Sequence, residues 1–281
     1  MLLNMIDLHT HSTFSDGTMT PEKLAKYAEK LGVEVLALTD HDTVNGIDSF
    51  MSVDVNVERV SGVELSVSYE PGTFHLVGLF VDHKNEYLNK ALDSLKDARR
   101  VRNDKMIKLI GELVGKQLTQ EDISTENDGE LGRPHIAKYL CKQGLAENMG
   151  DAFDKYLGKG KPYYIARETL DFHNSLDLIH EAGGIAILAH PFTLDIDEKY
   201  YSGFVKYLKG LGLDGIEVFT SDTDMYRQRM LHEIAIEHDM AISGGSDFHG
   251  DNQLSIGLGT GRGELNIPYN VYETLKTRYG K

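Results

Sequence analysis

Seven short runs of apolar residues, separated in most places by helical patterns, constrain the fold of this chain more than any other feature. We predict strands at residues 4–9, 33–39, 56–63, 74–81, 184–189, 213–219 and 240–243. Most of these runs are apolar almost without interruption, which is typical of parallel strands covered on both faces. Strands that alternate with helices predict an α/β fold, either a barrel or an open sheet.

Helix signals lie between several of the strands. Thr20 is a suitable N-cap, Pro21 suits the first helical position and Gly32 favours a helix end, which together predict a helix over 21–31. Similar patterns predict helices over 175–182 and 225–238.

Residues 85–169 break the alternation, because they carry few strand signals and many helix signals. Apolar residues recur at helical spacing from Leu88 to Leu113, which predicts one long amphipathic helix. Shorter helical patterns follow at 134–143 and 151–157. We interpret 85–169 as a helical insertion that forms a cap, and 1–84 with 170–281 as a barrel that binds metal.

Composition narrows the class of protein. A chain of 281 residues fits one large domain or two small ones. No apolar stretch approaches the length of a membrane span, and the N-terminal residues lack the pattern of a signal peptide. Cys141 is the only cysteine, which excludes an internal disulfide and a thiolate metal site. We therefore expect a cytoplasmic protein that works away from membranes.

The formal net charge is −15, which argues against a large basic surface for nucleic acid. Long double-stranded nucleic acid is therefore not an expected partner. Divalent cations held by acidic ligands would make a site locally positive, so an anionic substrate remains open.

Two histidines one residue apart, His9 and His11, follow the first predicted strand. Residues i and i+2 of an extended segment point to the same face, so both imidazoles can reach one cation. Asp16 follows in a predicted turn. Imidazole and carboxylate groups suit Zn, Mn and Fe. Taken alone, the pair has the alternative interpretation of ordinary surface or core histidines.

Histidines and acidic residues also follow several of the later predicted strands. His41 lies between Asp40 and Asp42, either of which could orient it, although these acids also suit a helix N-cap before 43–50. His190 directly follows the run 185–189, and Asp247-x-His249 lies in a glycine-rich loop after the last strand. The loops after the strands build the active sites of α/β barrels, so these groups are expected to meet.

Glu64 and His75 flank a predicted hairpin turn at 69–73, which contains Pro71 and Gly72. A hairpin would bring Glu64 and His75 together and would make this pair of strands antiparallel. A glutamate among apolar residues is costly to bury unless it is paired or coordinated, and a carboxylate can bridge two metals.

Together, these motifs resemble those of the PHP (polymerase and histidinol phosphatase) family. The resemblance runs from Met5 to about Gly261 and implies a distorted seven-stranded β/α barrel. The closer match is the branch that hydrolyses the 3′-phosphate of nucleoside 3′,5′-bisphosphates, some members of which are 5′→3′ exoribonucleases on short RNA. The helical insertion and the string from Gly132 to Ala137 resemble that branch.

The resemblance implies two to three divalent ions, Mn, Fe or Zn. The first would be bound by His9, His11, Glu64 and Asp247. The second would be bound by Glu64, His75 and His190. The third would be bound by Asp16, His41 and His249. A hydroxide held between the ions would attack phosphorus.

Four further residues are candidates for catalysis or substrate binding. Arg133 would grip phosphate, His135 would bind substrate or protonate the leaving oxygen, and Asp40 is a candidate catalytic group. Lys161 is a candidate phosphate contact in a glycine-rich loop. The alternatives are the ordinary N-terminal turn of a helix for Arg133 and His135, and an exposed loop for Lys161.

The leading hypothesis is a phosphatase of small nucleotides, with nucleoside 3′,5′-bisphosphates as the expected substrates. A 5′→3′ exoribonuclease on short RNA would use the same site. A histidinol-phosphate phosphatase, a carbon–nitrogen hydrolase and a catalytically silent metal-binding module are further alternatives. Arg99, Arg100 and Arg102 are expected on a solvated helix face.

Overall fold

The computed structural model describes residues 5–123, 131–166 and 168–281. Residue 4, the first of the predicted strand 4–9, lies outside the described residues. The chain divides into two compact units. Met1–Leu92 with Thr169–Lys281 form the barrel unit, and Asp93–Glu168 form the helical unit. That the helical unit caps an active site stays a prediction.

The barrel unit contains one seven-stranded sheet whose strands are adjacent in chain order. The strands are β1 (Met5–Asp7), β2 (Val33–Leu38), β3 (Glu58–Val67), β4 (Phe74–Leu79), β5 (Ile185–Leu188), β6 (Gly215–Thr220) and β7 (Ala241–Gly245). All neighbours are parallel except β4, which is antiparallel to both β3 and β5. The expected α/β class is confirmed.

The first and last strands of the sheet also meet. The Leu8 N–H donates to the Gly244 carbonyl at 3.2 Å, and the His11 N–H donates to the Phe248 carbonyl at 3.0 Å. These hydrogen bonds join the two edges of the curved sheet, as in a barrel.

The hairpin between β3 and β4 is present, and it changes the place of Glu64. β3 continues to Val67, four residues beyond the predicted end at 63, so Glu64 lies inside the strand opposite Val77. His75 is near the start of β4. Because β4 runs against its neighbours, its first residues lie at the same end of the barrel as the last residues of the parallel strands.

The α-helices in the described part of the chain are α1 (Pro21–Leu31), α2 (Ile47–Ser52), α3 (Glu86–Val114), α4 (Gln120–Ile123), α5 (Arg133–Lys142), α6 (Met149–Ala152), α7 (Phe172–Glu181), α8 (Tyr201–Gly210), α9 (Met225–Glu237) and α10 (Tyr269–Tyr279). The predicted helix 21–31 is confirmed, with the Thr20 side chain accepting a hydrogen bond from the Lys23 N–H. α7 begins three residues before its predicted start because Asp171 caps it. We did not predict α8 and α10.

The interior of the barrel is apolar. Inward-facing residues such as Ile6, Val35 and Ile187 are almost completely buried, and α10 packs against the same cluster through Val271 and Leu275. Burial of each large apolar side chain contributes about 1.5–3 kcal/mol. This packed core holds the strands in place, and with them the polar residues at the strand ends.

In the helical unit, Met106 and Ile110 of α3 pack with Ile136 and Leu140 of α5. Arg102 is also buried here, so the predicted solvated face was wrong for this residue. The reason is its position four residues before Met106, on the buried face of α3. The prediction holds for Arg100, which is exposed. Among the described residues, no helix combines the length and apolar character needed to cross a membrane.

Candidate metal centre

The nine predicted ligands come together at one end of the barrel. His9, His11 and Asp16 follow β1, His41 follows β2, Glu64 lies in β3, His75 begins β4, His190 follows β5, and Asp247 and His249 follow β7. That each of them binds metal stays a prediction.

The first predicted group surrounds one point. Glu64 Oε2 lies 3.3 Å from His9 Nε2 and 3.3 Å from His11 Nε2. Asp247 Oδ1 lies 3.5 Å from His9 Nε2 and 3.1 Å from His11 Nε2. Ligands about 2.1 Å from one ion are themselves about 3.0–3.5 Å apart. These distances therefore match a shared cation.

The second predicted group uses the other oxygen of Glu64. His75 Nδ1 and His190 Nε2 each lie 2.8 Å from Glu64 Oε1 and 3.4 Å from each other. The carboxylate of Glu64 thus faces two clusters of imidazoles with its two oxygens. This is the arrangement of a carboxylate that bridges two cations.

The third predicted group lies beside the first. His249 Nε2 is 3.1 Å from Asp16 Oδ1, and His41 Nε2 is 3.8 Å from Asp16 Oδ2. His11 also borders this group, because its ring stacks on the ring of His249 with the centroids 4.1 Å apart. His41 links this group to the bridging carboxylate, since its Nδ1 is 2.9 Å from Glu64 Oε2.

Several ligand atoms in this cluster are buried without a hydrogen-bond partner. They are His9 Nε2, His11 Nε2, Asp16 Oδ1, His41 Nδ1 and Glu64 Oε2. A buried polar atom that lacks a partner costs about 1–3 kcal/mol. A divalent cation would satisfy them together, so the residues present fit the metal that the motifs imply. Imidazole and carboxylate ligands suit Mn, Fe and Zn alike.

The other ring nitrogen of several histidines has a partner that fixes the proton. His249 Nδ1 donates to the Asp247 carbonyl at 2.8 Å, and His190 Nδ1 shares a hydrogen bond with Thr193 Oγ1 at 3.1 Å. His9 Nδ1 donates to Glu217 Oε1 at 2.9 Å. The carbonyl and the carboxylate can only accept, so the neutral rings of His249 and His9 carry the proton on Nδ1 and direct an unprotonated Nε2 into the cluster, as in many metal sites.

Asp40, the predicted catalytic group, is buried against the loop after β1. Its carboxylate accepts hydrogen bonds from Ser12 N at 2.7 Å, Ser12 Oγ at 2.6 Å and Ser15 Oγ at 2.6 Å. These contacts hold the loop that carries His11 and Asp16. The geometry favours a role in positioning that loop, and a catalytic role for Asp40 stays a prediction.

Two buried acids near the cluster were missed from the sequence, Asp7 and Glu217. Asp7 accepts hydrogen bonds from Ser246 N at 2.8 Å, Ser246 Oγ at 2.5 Å and Gly259 N at 2.8 Å. Burial raises the pKa of Asp7 to about 6, although these hydrogen bonds lower it. Both acids stand within predicted buried strands, and a charged residue in such a strand was the signal that could have revealed them.

The electrostatics of the cluster favour cations. Burial lowers the pKa of His11, but the nearby carboxylates of Asp247 and Glu64 outweigh burial and raise it to about 10. Burial raises the pKa of Glu64 and of Asp247, but the surrounding histidines hold both well below their usual range. Burial lowers the pKa of His41 to about 4. The carboxylates therefore stay ionised in a buried place, where they stabilise positive charge, whether a proton on His11 or a metal ion.

The predicted substrate residues lie in the helical unit. The Arg133 guanidinium at the start of α5 lies over the rings of Phe153 and Tyr164, 5.7 and 5.5 Å from their centroids. His135 Nδ1 accepts a hydrogen bond from the Gly132 N–H at 3.0 Å, and Lys161 is exposed. The two α5 residues thus occupy a helix N-terminal turn. Their contact with phosphate stays a prediction.

Comparison with known proteins supports the family that the motifs indicated. The PHP domain model matches residues 7–211. The 5′-3′ exoribonuclease of Haemophilus influenzae is 38% identical over 249 residues, which cover 86% of this chain and 89% of the relative. The 3′,5′-nucleoside bisphosphate phosphatase of Chromobacterium violaceum is 31% identical over 255 residues and 87% of each chain.

A solved structure, described as a metal-dependent phosphoesterase from Bifidobacterium adolescentis, superimposes with a TM-score of 0.80. It is 28% identical, and the match covers 97% of this chain and 96% of that one. Asp247 and His249 lie beyond the residues that the family model matches, yet the fold brings them to the same cluster. The family expected from the motifs is confirmed, and this chain belongs to the PHP domain family.

Proposed function

We propose that this chain, a metal-dependent phosphoesterase of the PHP family, hydrolyses the 3′-phosphate of nucleoside 3′,5′-bisphosphates. The observation that carries the proposal is Glu64, which faces His9 and His11 with one oxygen and His75 and His190 with the other. Adjacent cation sites of this kind serve phosphoryl transfer. The phosphatase of Chromobacterium violaceum supports the substrate class by its similarity to this chain.

When bound, divalent cations supply an activated water and neutralise the charge of the transferring phosphoryl group. The chain itself supplies a rigid cradle at the strand ends. Glu64, Asp16 and Asp247 are its acidic ligands, and the buried Asp7 and Glu217 add further acidic groups behind them. A phosphate dianion would be repelled by these carboxylates, so we expect phosphate to bind only after the cations.

The reaction breaks the bond between phosphorus and the 3′-oxygen of the nucleoside. The leaving oxygen needs a proton, which we assign to His135. We assign the 5′-phosphate to Arg133, because a planar guanidinium matches two phosphate oxygens. The rings of Phe153 and Tyr164 already restrict the Arg133 side chain, which lowers the entropy lost when it binds.

A second candidate is a 5′→3′ exoribonuclease on short RNA, and the exoribonuclease of Haemophilus influenzae favours it at 38% identity. The chemistry is closely related. Removal of a 5′-terminal nucleotide can break the same phosphorus–3′-oxygen bond, with the phosphate esterified to a second nucleotide. A net charge of −15 favours very short RNA over long strands.

The test is product analysis in the presence of Mn²⁺. The substrates are adenosine 3′,5′-bisphosphate, 3′-AMP, the 5′-phosphorylated dinucleotide pApA and histidinol phosphate. We expect the highest kcat/KM with the bisphosphate, with phosphate and 5′-AMP as products. A higher kcat/KM with pApA would favour the exoribonuclease, and a preference for histidinol phosphate would overturn the nucleotide substrate.

The matched variants are Asp247→Asn and Asp251→Asn, which change two acids of the same loop. Asp247 faces His9 and His11, whereas Asp251 is exposed. Only Asp247→Asn should abolish turnover. A protein that binds the cations and turns over none of the four substrates would overturn the proposed function, and would favour a silent metal-binding module or another phosphoester substrate.

A further inference from the structure

Glu217 lies in β6 and is almost completely buried beside the metal centre. Both oxygens of its carboxylate accept hydrogen bonds. Oε1 accepts a hydrogen bond from His9 Nδ1 at 2.9 Å, and Oε2 accepts one from the backbone N–H of His190 at 2.7 Å. The two partners belong to different cation groups, since His9 lies in the first and His190 in the second.

At the His9 end, Glu217 fixes the imidazole. Because a carboxylate only accepts hydrogen bonds, the proton is on Nδ1 and the lone pair of a neutral His9 is on Nε2. This Nε2 lies 3.3 Å from Glu64 Oε2 and 3.5 Å from Asp247 Oδ1. A carboxylate partner also makes the imidazole a more basic ligand.

At the His190 end, Glu217 holds a strained turn. His190 has φ 25° and ψ 67°, a conformation that is unfavourable for a residue with a side chain. Its N–H is bound to Glu217 while its Nε2 lies 2.8 Å from Glu64 Oε1. The hydrogen bond thus keeps the turn in the geometry that brings the imidazole to the bridging carboxylate.

We propose that Glu217 is a positioning residue that holds the first and second cation sites in one geometry. Loss of its charge then weakens metal binding at these two sites and spares the group formed by Asp16, His41 and His249. The inference rests on the metal centre of the proposed function, but it does not depend on which phosphoester is hydrolysed.

The first test is Glu217→Gln, which keeps the size of the side chain. The amide oxygen can still accept one hydrogen bond, but the amide nitrogen cannot accept the second, so either His9 or His190 loses its partner. We expect Mn²⁺ affinity at the two sites to fall about 10- to 100-fold, as measured by equilibrium dialysis with metal analysis. Glu273→Gln on α10, an exposed acid, is the control and should bind as the parent does.

The pattern of loss separates positioning from a general structural role. Retention of parental Mn²⁺ affinity at the group formed by Asp16, His41 and His249 supports the proposal, whereas an equal loss at all sites overturns it. A folded Glu217→Gln protein with parental Mn²⁺ affinity also overturns it. These readouts measure binding, so a failure of the phosphatase assay would leave them intact and would count only against the proposed function.

A second measurement on the unaltered chain covers the case in which Glu217→Gln does not fold. In protein loaded with Zn²⁺, which is diamagnetic, long-range ¹H–¹⁵N spectra report which nitrogen of His9 carries the proton. We expect a protonated Nδ1 and a metal-bound Nε2. A proton on Nε2, or coordination through Nδ1, would overturn the role of Glu217.

Discussion

Replacement of Glu64 by glutamine is expected to remove most of the stability that divalent cations give to the barrel unit. Glu64 is fully buried between two groups of imidazoles. Its five neighbours are His9, His11, His41, His75 and His190. Glutamine keeps the size but loses the charge, and it turns one ligand atom into a donor. One of the two groups therefore loses its ligand atom from residue 64, and the other keeps only a neutral amide oxygen in place of a carboxylate.

The magnitude follows from linkage between binding and folding. A cation present at 100 times its Kd stabilises the folded chain by about 2.7 kcal/mol, so two sites contribute about 5 kcal/mol. The unfolding entropy of a chain of 281 residues corresponds to a shift in Tm of about 2 °C for each kcal/mol. Loss of one site corresponds to about 5 °C and loss of both to about 10 °C, so we expect Mn²⁺ to raise the Tm of the parent by about 5–10 °C more than that of Glu64→Gln.

The assay is thermal unfolding of chelator-treated protein before and after addition of Mn²⁺. Glu273→Gln, the exposed acid on α10, should give the parental shift. Equal metal-induced shifts in the parent and in Glu64→Gln would refute the bridging role of Glu64.

Three other predictions follow from the same structure. Asp247→Asn should lose turnover and bound metal but keep its circular dichroism spectrum, because asparagine tolerates φ 58° at this position; unchanged metal content would count against Asp247 as a ligand. Arg133→Ala should raise KM with little change in kcat, and an unchanged KM for every phosphate substrate would remove Arg133 from the site. A hydrogen bond to Asp214 raises the pKa of His180, so its contribution to stability is complete below pH 6.5 and is lost as pH rises through the raised pKa. His180 is partly exposed, so this contribution is small. Between pH 6 and 8.5, the free energy of unfolding measured with urea should fall by about 0.5 kcal/mol less in His180→Gln than in the parent, and an unaltered pH profile would contradict this.

The residues with ligand chemistry could be found from sequence because their pattern is local. His9-x-His11 and Asp247-x-His249 have the two-residue period of extended chain, and both follow apolar runs. Glu64 was found because a glutamate among apolar residues is costly to bury unless it is paired or coordinated. A hairpin turn at Pro71 and Gly72 then indicated that its strand would meet His75.

The residues that support the ligands were missed because their partners are distant in sequence. Glu217 contacts His9 across 208 positions, and Asp7 contacts Ser246 across 239. In sequence, each is only an acid inside an apolar run. The physical signal is the cost of burying such a charge, which demands a partner but does not identify it.

The helices were predicted best where capping residues are strong. α1 has Thr20 and Gly32 at its ends and matches its prediction, whereas α10 has no side-chain cap. Arg102 was wrongly predicted to be exposed, because the prediction followed its charge and not its position on the buried face of α3. A long side chain can be buried along such a face, and helical spacing was the better guide.

The most direct test of the metal centre is anomalous diffraction from crystals grown with Mn²⁺. We expect at least two peaks on either side of the Glu64 carboxylate, about 3.5–4 Å apart, one near His9, His11 and Asp247 and the other near His75 and His190. The absence of any peak within coordination distance of Glu64, with Mn²⁺ bound elsewhere on the chain, would contradict this.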